Sequence, residues 1–244
     1  MRKIVAYPLS VIYLLCFGLL LVIFHPIQWI SHRAFGYQAH MRSVEALNWF
    51  LMHSLLILGN RVHFKNPYTI STQTPCIIIA NHQSMYDISP IVWHMRKHDP
   101  KFISKKELGK GIPSVSYNLR HGGAALIDRK DKEQSFKEIL KLANSANENG
   151  RSVVIFPEGT RSRNGQPKRF QQGGLKILLK KMPHATLVPI SINNSWKTLR
   201  YGKFPYGIGY TLEFEVHEPI TTRDLPPEEL ITKVEQTIFA AIKP

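Results

Sequence analysis

The first thirty residues of the chain are almost entirely hydrophobic. The run from Ile4 to Ile30 contains no Asp, Glu, Lys or Arg. At a rise of about 1.5 Å per residue, roughly 20 apolar residues span the hydrocarbon core of a bilayer, so this run is long enough. It exceeds the roughly 7–15 apolar residues of a signal peptide and ends without a small-x-small cleavage site. The run therefore predicts a retained membrane anchor.

A second apolar segment follows, with a helical rather than a continuous pattern. Val44, Leu47, Leu51, Leu55 and Leu58 recur at helical spacing, which predicts an amphipathic helix. Two arrangements remain open: the helix packs on the following domain, or it joins the anchor in a two-helix hairpin that dips into one leaflet. A shallow hairpin leaves both of its ends on one side of the membrane. We therefore predict membrane-anchoring helices over residues 1–60, at the cytoplasmic face.

Residues 61–244 carry short apolar runs that alternate with amphipathic segments. Continuous runs such as CIIIA and SVVIF are typical of strands covered on both faces. The alternation predicts an α/β domain with a mostly parallel or mixed sheet flanked by helices. The predicted strands are Cys76–Ala80, Phe102–Ile103, Ala124–Ile127, Val153–Phe156, Leu187–Ile192 and Tyr210–Val216. The predicted helices are Ile88–Arg96, Ser114–Leu119, Glu133–Ala146, Gly174–Lys181 and Glu228–Ala241.

The charge balance narrows the possible partners. Lys and Arg total 32 against 17 Asp and Glu, a formal net charge of +15. Such a charge indicates an anionic partner: nucleic acid, an anionic membrane surface or a phosphorylated substrate. The sequence has no helix-turn-helix, zinc-finger or RNA-recognition pattern. A basic protein that binds nucleic acid or a membrane without catalysis is therefore kept only as the alternative to an enzyme. Two cysteines are too few for a disulfide framework or a four-cysteine zinc site.

The first candidate site follows the CIIIA strand and reads NHQSMYD. In such folds, sites collect at the carboxyl ends of strands. His82 and Asp87 are five residues apart, and a loop leading into a helix can bring them together. Asp87 would then bind one imidazole nitrogen and leave the other as a base. The alternative is a simple turn in which Asp87 caps the next helix.

The second candidate site follows the SVVIF strand and reads FPEGTRSR. Pro157 ends the strand, Gly159 permits a tight turn, and Arg161 offers a donor fork suited to phosphate. Glu158 is an acceptor for a hydroxyl group or for Arg161. The alternative is a solvated basic turn.

Together the two blocks resemble the glycerolipid acyltransferase family. NHxxxxD and FPEGTR occur in the family's order, roughly 70 residues apart in this chain. Three weaker blocks are similar to family segments: Lys105–Leu108, Gly123–Arg129 and the Leu187–Ile190 run that ends in Pro-Ile. The resemblance covers about residues 60 to 220.

The resemblance implies a role for each matching residue. His82 would be the general base and Asp87 its orienting partner. Arg161 would hold the phosphate of the acceptor, with Arg129 and Lys105 as helpers. Glu158, Gly159 and Thr160 would complete the substrate-binding residues. No metal and no cofactor are implied.

The implied reaction is an O-acyl transfer at a lipid surface. A fatty acyl group would pass from acyl carrier protein or coenzyme A to the sn-2 hydroxyl of 1-acyl-sn-glycerol-3-phosphate, giving phosphatidic acid. An alternative acceptor is another lyso-phospholipid or a lyso-amino-acid lipid. A serine hydrolase is disfavoured because no G-x-S-x-G occurs and Ser84 lacks a base pattern of its own. Asn193-Asn194-Ser195 fits a glycosylation acceptor, which is irrelevant in a cytoplasmic domain.

Overall fold

The computed structural model describes residues 2–243 as an α/β fold: a mixed β-sheet flanked by helices, with an apolar helical segment at the N-terminus. This is the predicted fold class. The helices are α1 (Arg2–Ser54), α2 (Ile88–His94), α3 (Val115–His121), α4 (Lys132–Asn149), α5 (Gln172–Lys181) and α6 (Pro227–Ala240). The strands are β1 (Arg61–Lys65), β2 (Cys76–Ala80), β3 (Pro100–Lys105), β4 (Ala125–Ile127), β5 (Ser152–Ile155), β6 (Thr186–Asn193), β7 (Thr211–Val216) and β8 (Ile220–Thr221).

The strands lie in the order β1-β7-β6-β2-β5-β3-β4, with β8 paired to β6. The pairs from β6 through β4 are parallel, as is β1 with β7. β6 runs antiparallel to β7 and β8. β2 and β5 are therefore neighbours in the sheet, and the loops that follow them leave the same edge side by side.

The central strands are apolar on both faces because each face carries its own core. Ile77 and Ile79 of β2 pack with the cluster that includes α4, α5 and α6. Cys76, Ile78 and Ala80, which alternate with them, pack with a second cluster that includes α2 and residues of α1. This double coverage explains the unbroken CIIIA run.

Helix α1 is a bent hairpin rather than a straight rod. Gly36, with φ 77° and ψ −167°, has a non-helical conformation that a residue with a side chain rarely adopts. The chain folds back at this point, so that Phe24 meets Phe50 with ring centroids 5.7 Å apart. Leu21 and Phe24 of the first arm pack against Leu47 and Leu51 of the second.

The hairpin has one face buried in the protein and one face exposed. Tyr13 of the first arm is fully buried, whereas Ile4 and Leu15 are 73% and 69% exposed. By length and composition, α1 is apolar enough to cross a membrane. The segment therefore folds as a hairpin and also packs on the α/β domain.

Candidate active site

The loop after β2 brings His82 and Asp87 into direct contact. Nδ1 of His82 lies 2.8 Å from Oδ2 of Asp87. The loop folds this way because Ser84 caps a 3-10 turn over Met85–Asp87: its hydroxyl accepts from the Tyr86 N–H, and Asp87 accepts from the Ser84 N–H at 2.9 Å. The predicted dyad is thus built by a capping box, in which Asp87 is the reciprocal acceptor as well as the partner of His82. Its side chain makes no capping hydrogen bond to α2, which was the alternative left open by the sequence.

Several contacts fix the orientation of the dyad. Asp87 is fully buried, and its Oδ2 also accepts from the Gln83 N–H at 2.7 Å. The imidazole of His82 stacks on the ring of Phe156, with centroids 4.2 Å apart. His82 itself is 8% exposed and lines a large cavity. With Nδ1 held by a carboxylate, Nε2 is the ring nitrogen left for chemistry.

The loop after β5 is joined to the loop of His82 through its backbone. The Ser162 N–H donates to the carbonyl of His82 at 2.7 Å. Gly159 has φ 70°, and a Cβ at this position would lie 2.8 Å from the amide of Gln171, so the tight turn requires glycine here. Arg161 is exposed at the rim and lines the same cavity as His82.

Glu158 faces the protein rather than the cavity. Its Oε1 accepts from the His82 N–H at 2.8 Å, and its Oε2 accepts from the Lys168 N–H at 3.0 Å. Burial raises the pKa of this carboxyl to about 7, although the two N–H donors oppose the shift. In this structure Glu158 joins the two candidate loops, a position different from the predicted contact with substrate.

The cavity encloses about 1490 Å³, above the roughly 300–1,000 Å³ of a typical small-ligand pocket. One part of its wall is cationic: Lys105 ends β3, Arg129 follows β4, and Arg161, Arg163 and Lys168 follow β5. Loss of water lowers the pKa of the Arg129 guanidinium, and repulsion from Arg161 adds to this shift. These side chains form a site suited to a phosphate group.

Another part of the cavity wall is apolar and includes the hairpin. Its lining residues come from the second arm of α1, from α2 and α3, and from β4 and the residue before it. They include Val44, Leu47, Leu51, Val92, Val115, Leu119, Ala124 and Ile127. Because His82 lines the same cavity, its imidazole shares one large cavity with the cationic and the apolar side chains.

The other predicted substrate-binding residue has a partner already. The hydroxyl of Thr160 accepts from the Nζ of Lys168 at 2.8 Å, and the same amine donates to the Arg161 carbonyl at 3.1 Å. Lys168 lies outside the FPEGTRSR block that the sequence singles out. Ser84 is fully buried in the capping box and does not offer a free nucleophile. Within residues 2–243, no group of three His, Cys, Asp or Glu side chains is arranged to hold a metal ion.

The chain is similar to known acyltransferases. The Acyltransferase family model matches residues 61–193, which is more than half of the chain. A 1-acyl-sn-glycerol-3-phosphate acyltransferase of Helicobacter pylori is 36% identical over 124 residues, 50% of this chain and 49% of that protein. A chloroplastic protein of the same name from Brassica napus is 29% identical over 170 residues, 69% of this chain and 48% of that protein. The chain spans about half the length of these curated relatives.

A solved structure has the same fold. The crystal structure of the 1-acyl-sn-glycerophosphate (LPA) acyltransferase from Thermotoga maritima superposes with a TM-score of 0.81, covering 99% of this chain and 96% of that one. The two sequences are 24% identical, so this likeness concerns the fold. Family membership follows from the family model, which matches residues 61–193 and so includes both candidate loops, with His82, Asp87 and Arg161. The chain therefore belongs to the acyltransferase family.

Proposed function

We propose that this protein is a membrane-associated acyltransferase that moves a fatty acyl group from an acyl thioester to the sn-2 hydroxyl of 1-acyl-sn-glycerol-3-phosphate, giving phosphatidic acid. The observation that carries the proposal is the contact of 2.8 Å between His82 and Asp87 inside a cavity that is cationic in one part and apolar in another. A lysophosphatidic acid has both matching parts, a phosphate and a hydrocarbon chain. The names of the relatives support the same acceptor.

In the proposed reaction, Nε2 of His82 removes the proton from the sn-2 hydroxyl as the oxygen attacks the carbonyl carbon of the thioester. The tetrahedral intermediate then collapses, the carbon–sulfur bond breaks, and the thiolate takes the proton back from the imidazolium. Asp87 stabilises the imidazolium while it exists. General-base assistance of this kind contributes typically 10²–10⁴-fold, and the positioning of two substrates adds to it.

The cationic wall would bind the acceptor. Arg161 would form the paired hydrogen bonds that suit a phosphate, with Arg129 and Lys105 adding charge. The apolar wall would take an acyl chain. The donor, a thioester of acyl carrier protein or of coenzyme A, is anionic in either form, so the net charge of +15 favours its approach.

The hairpin would anchor the enzyme in the leaflet that supplies the acceptor. The exposed face of its first arm is apolar, and the arm carries Arg2 and Lys3 at its start, where anionic headgroups would lie. Because the chain folds back at Gly36, the catalytic loops stay on the side from which the donor arrives. We propose the cytoplasmic face for that side.

The test is acyl transfer by the purified full-length protein in detergent. Labelled acyl-carrier-protein and acyl-coenzyme-A thioesters are each offered with lysophosphatidic acid, with lyso-phospholipids of larger headgroup, and with a lyso-amino-acid lipid. We expect phosphatidic acid from the wild type and none above background from His82→Ala. Transfer to another lyso-lipid alone would reassign the acceptor, and equal activity of His82→Ala would refute the mechanism.

The role of Arg161 is tested in the same assay. Arg161→Ala removes the guanidinium that would meet the phosphate but leaves the dyad in place. We expect a higher KM for lysophosphatidic acid with little change in the KM of the donor. A raised donor KM with an unchanged acceptor KM would place Arg161 at the donor site instead.

A further inference from the structure

The two oxygens of the Asp87 carboxylate have different surroundings. Oδ2 accepts from His82 and from two backbone N–H groups, at 2.7 to 2.9 Å. Oδ1 meets only hydroxyl groups among the described residues: that of Ser84 at 3.4 Å and that of Ser195 at 2.5 Å. Because Asp87 is fully buried, water does not replace a missing donor easily. Ser195 is therefore the one close donor to Oδ1 within residues 2–243.

Ser195 is held in this position by a turn of its own. Asn194 adopts a left-handed conformation with φ 66°, which ends β6 and starts a 3-10 helix over Ser195–Leu199. The Ser195 N–H donates to the side-chain carbonyl of Gln83 at 3.1 Å, so backbone and hydroxyl both bind the loop of the dyad. Ser195 is fully buried.

The turn of Ser195 also touches the second catalytic loop. The indole of Trp196 lies so close to Gly165, in the loop after β5, that a Cβ on this glycine would meet the indole nitrogen at 2.4 Å. Asn81 continues the pairing of β2 with β6, since its amide exchanges two hydrogen bonds with Ile192, at 2.8 and 2.7 Å. The end of β6 is thus fixed relative to both loops.

We propose that Ser195 is a positioning residue of the acyl transfer reaction. Its hydroxyl fixes the rotation of the Asp87 carboxylate, so that Oδ2 stays aligned with Nδ1 of His82, and it supports the negative charge that stabilises the imidazolium. This inference rests on the proposed general-base role of His82. It gives a function to a residue that the sequence marks only as part of a glycosylation pattern.

The primary test is Ser195→Ala in the acyl transfer assay. A hydrogen bond to a buried charge contributes enough that we expect kcat to fall about 10- to 100-fold. The KM of each substrate should stay within about twofold, because Ser195 lies behind the dyad and not on the cavity wall. Ser191→Ala is the matched control, since this buried serine lies on β6, four residues before Ser195, and its hydroxyl meets His217 at 2.9 Å. We expect wild-type kcat from that control.

A double-mutant cycle separates positioning from plain structural support. If Ser195 acts through the Asp87 carboxylate, Ser195→Ala should cost much less in an Asp87→Asn background than in the wild type. The same fold loss in both backgrounds would overturn the proposal. Ser195→Cys, which keeps nearly the same volume but donates weakly, should give an intermediate kcat and covers the case in which the alanine variant fails to fold.

The split between kcat and KM distinguishes the role of Ser195 from the proposed function as a whole. A wild-type kcat in Ser195→Ala would refute the role of Ser195 and leave the proposed function intact. Failure of the proposed function is recognised separately, by activity in His82→Ala.

Discussion

Replacing Asp87 by Asn would remove the charge beside His82 while nearly keeping the shape of the side chain. The new amide oxygen can occupy the place of Oδ2 and accept from His82, Gln83 and Ser84. The amide NH₂ would then face the hydroxyl of Ser195, which can turn and accept. The variant therefore measures the contribution of the charge rather than a loss of hydrogen bonds.

The size of the effect follows from the geometry. Nδ1 and Oδ2 are 2.8 Å apart, which puts the centres of the imidazolium and carboxylate charges roughly 4 Å apart. At an effective dielectric constant near 20, a pair at this distance is worth about 4 kcal/mol. At about 1.36 kcal/mol per factor of ten, the loss is about 10³-fold in kcat.

The assay measures initial rates of labelled product at varied concentrations of both substrates. We expect kcat and kcat/KM to fall together with unchanged KM values, because Asp87 is buried behind His82 and does not line the cavity. Asp131→Asn is the matched control: Asp131 caps α4 by accepting from the Gln134 N–H, and Asn caps equally well. A kcat of Asp87→Asn within tenfold of the wild type would refute the reasoning, as would a loss that lies wholly in KM.

Three further variants test other parts of the structure. Burial raises the pKa of Glu158 to about 7 in the folded protein, against 4.5 in the unfolded chain. Between these pH values the folded state therefore binds more protons than the unfolded state. The free energy of unfolding should then fall as pH rises from 4.5 to 7, by at most about 1.4 kcal/mol per pH unit. Glu158→Gln should abolish that dependence of the Tm, and equal slopes for both proteins would contradict it. Ala124→Phe places a larger side chain on the cavity wall and narrows the cavity. The products identified by mass spectrometry should therefore shift to shorter acyl chains, and an unchanged product distribution would argue against an acyl chain at this wall. The double variant Leu15→Asp, Leu19→Asp places charge on side chains that are 69% and 59% exposed, and it should reduce sedimentation with anionic vesicles at an unchanged Tm. Sedimentation equal to that of the wild type would place the membrane contact elsewhere.

The central sheet was readable from the sequence because burial on both faces leaves an unbroken apolar run. The prediction for β2 matches the structure residue for residue, and that for β5 differs by one position at each end. Strand β1 was missed because it lies at the edge of the sheet. Only Val62 and Phe64 are partly buried there, and the residues that alternate with them are polar and exposed. β8 has two residues, too few for any periodic signal.

The residues of the site were predictable where a short block of sequence carries the chemistry. His82 and Asp87 belong to one short segment, so their type and spacing were informative. The contact between Ser195 and Asp87 joins residues 108 positions apart, and it depends on β6 lying next to β2, which spacing along the chain does not indicate. The sequence did not indicate the orientation of the Glu158 side chain either, because the same turn would allow its carboxylate to face the cavity or the backbone.

The division at residue 60 follows the composition of the chain, but the packing crosses it. Tyr13 of the hairpin is fully buried and contacts Tyr86, with ring centroids 6.1 Å apart. Tyr86 precedes Asp87 in the capped 3-10 turn, so the hairpin supports the very turn that orients the base. The second arm also supplies part of the apolar wall of the cavity. A chain cut at residue 60 would therefore lose a wall of the site together with the anchor, and a fall in its activity would not measure membrane binding. Substitutions on the exposed face of the first arm separate the two effects, because they leave Tyr13 and the cavity wall in place.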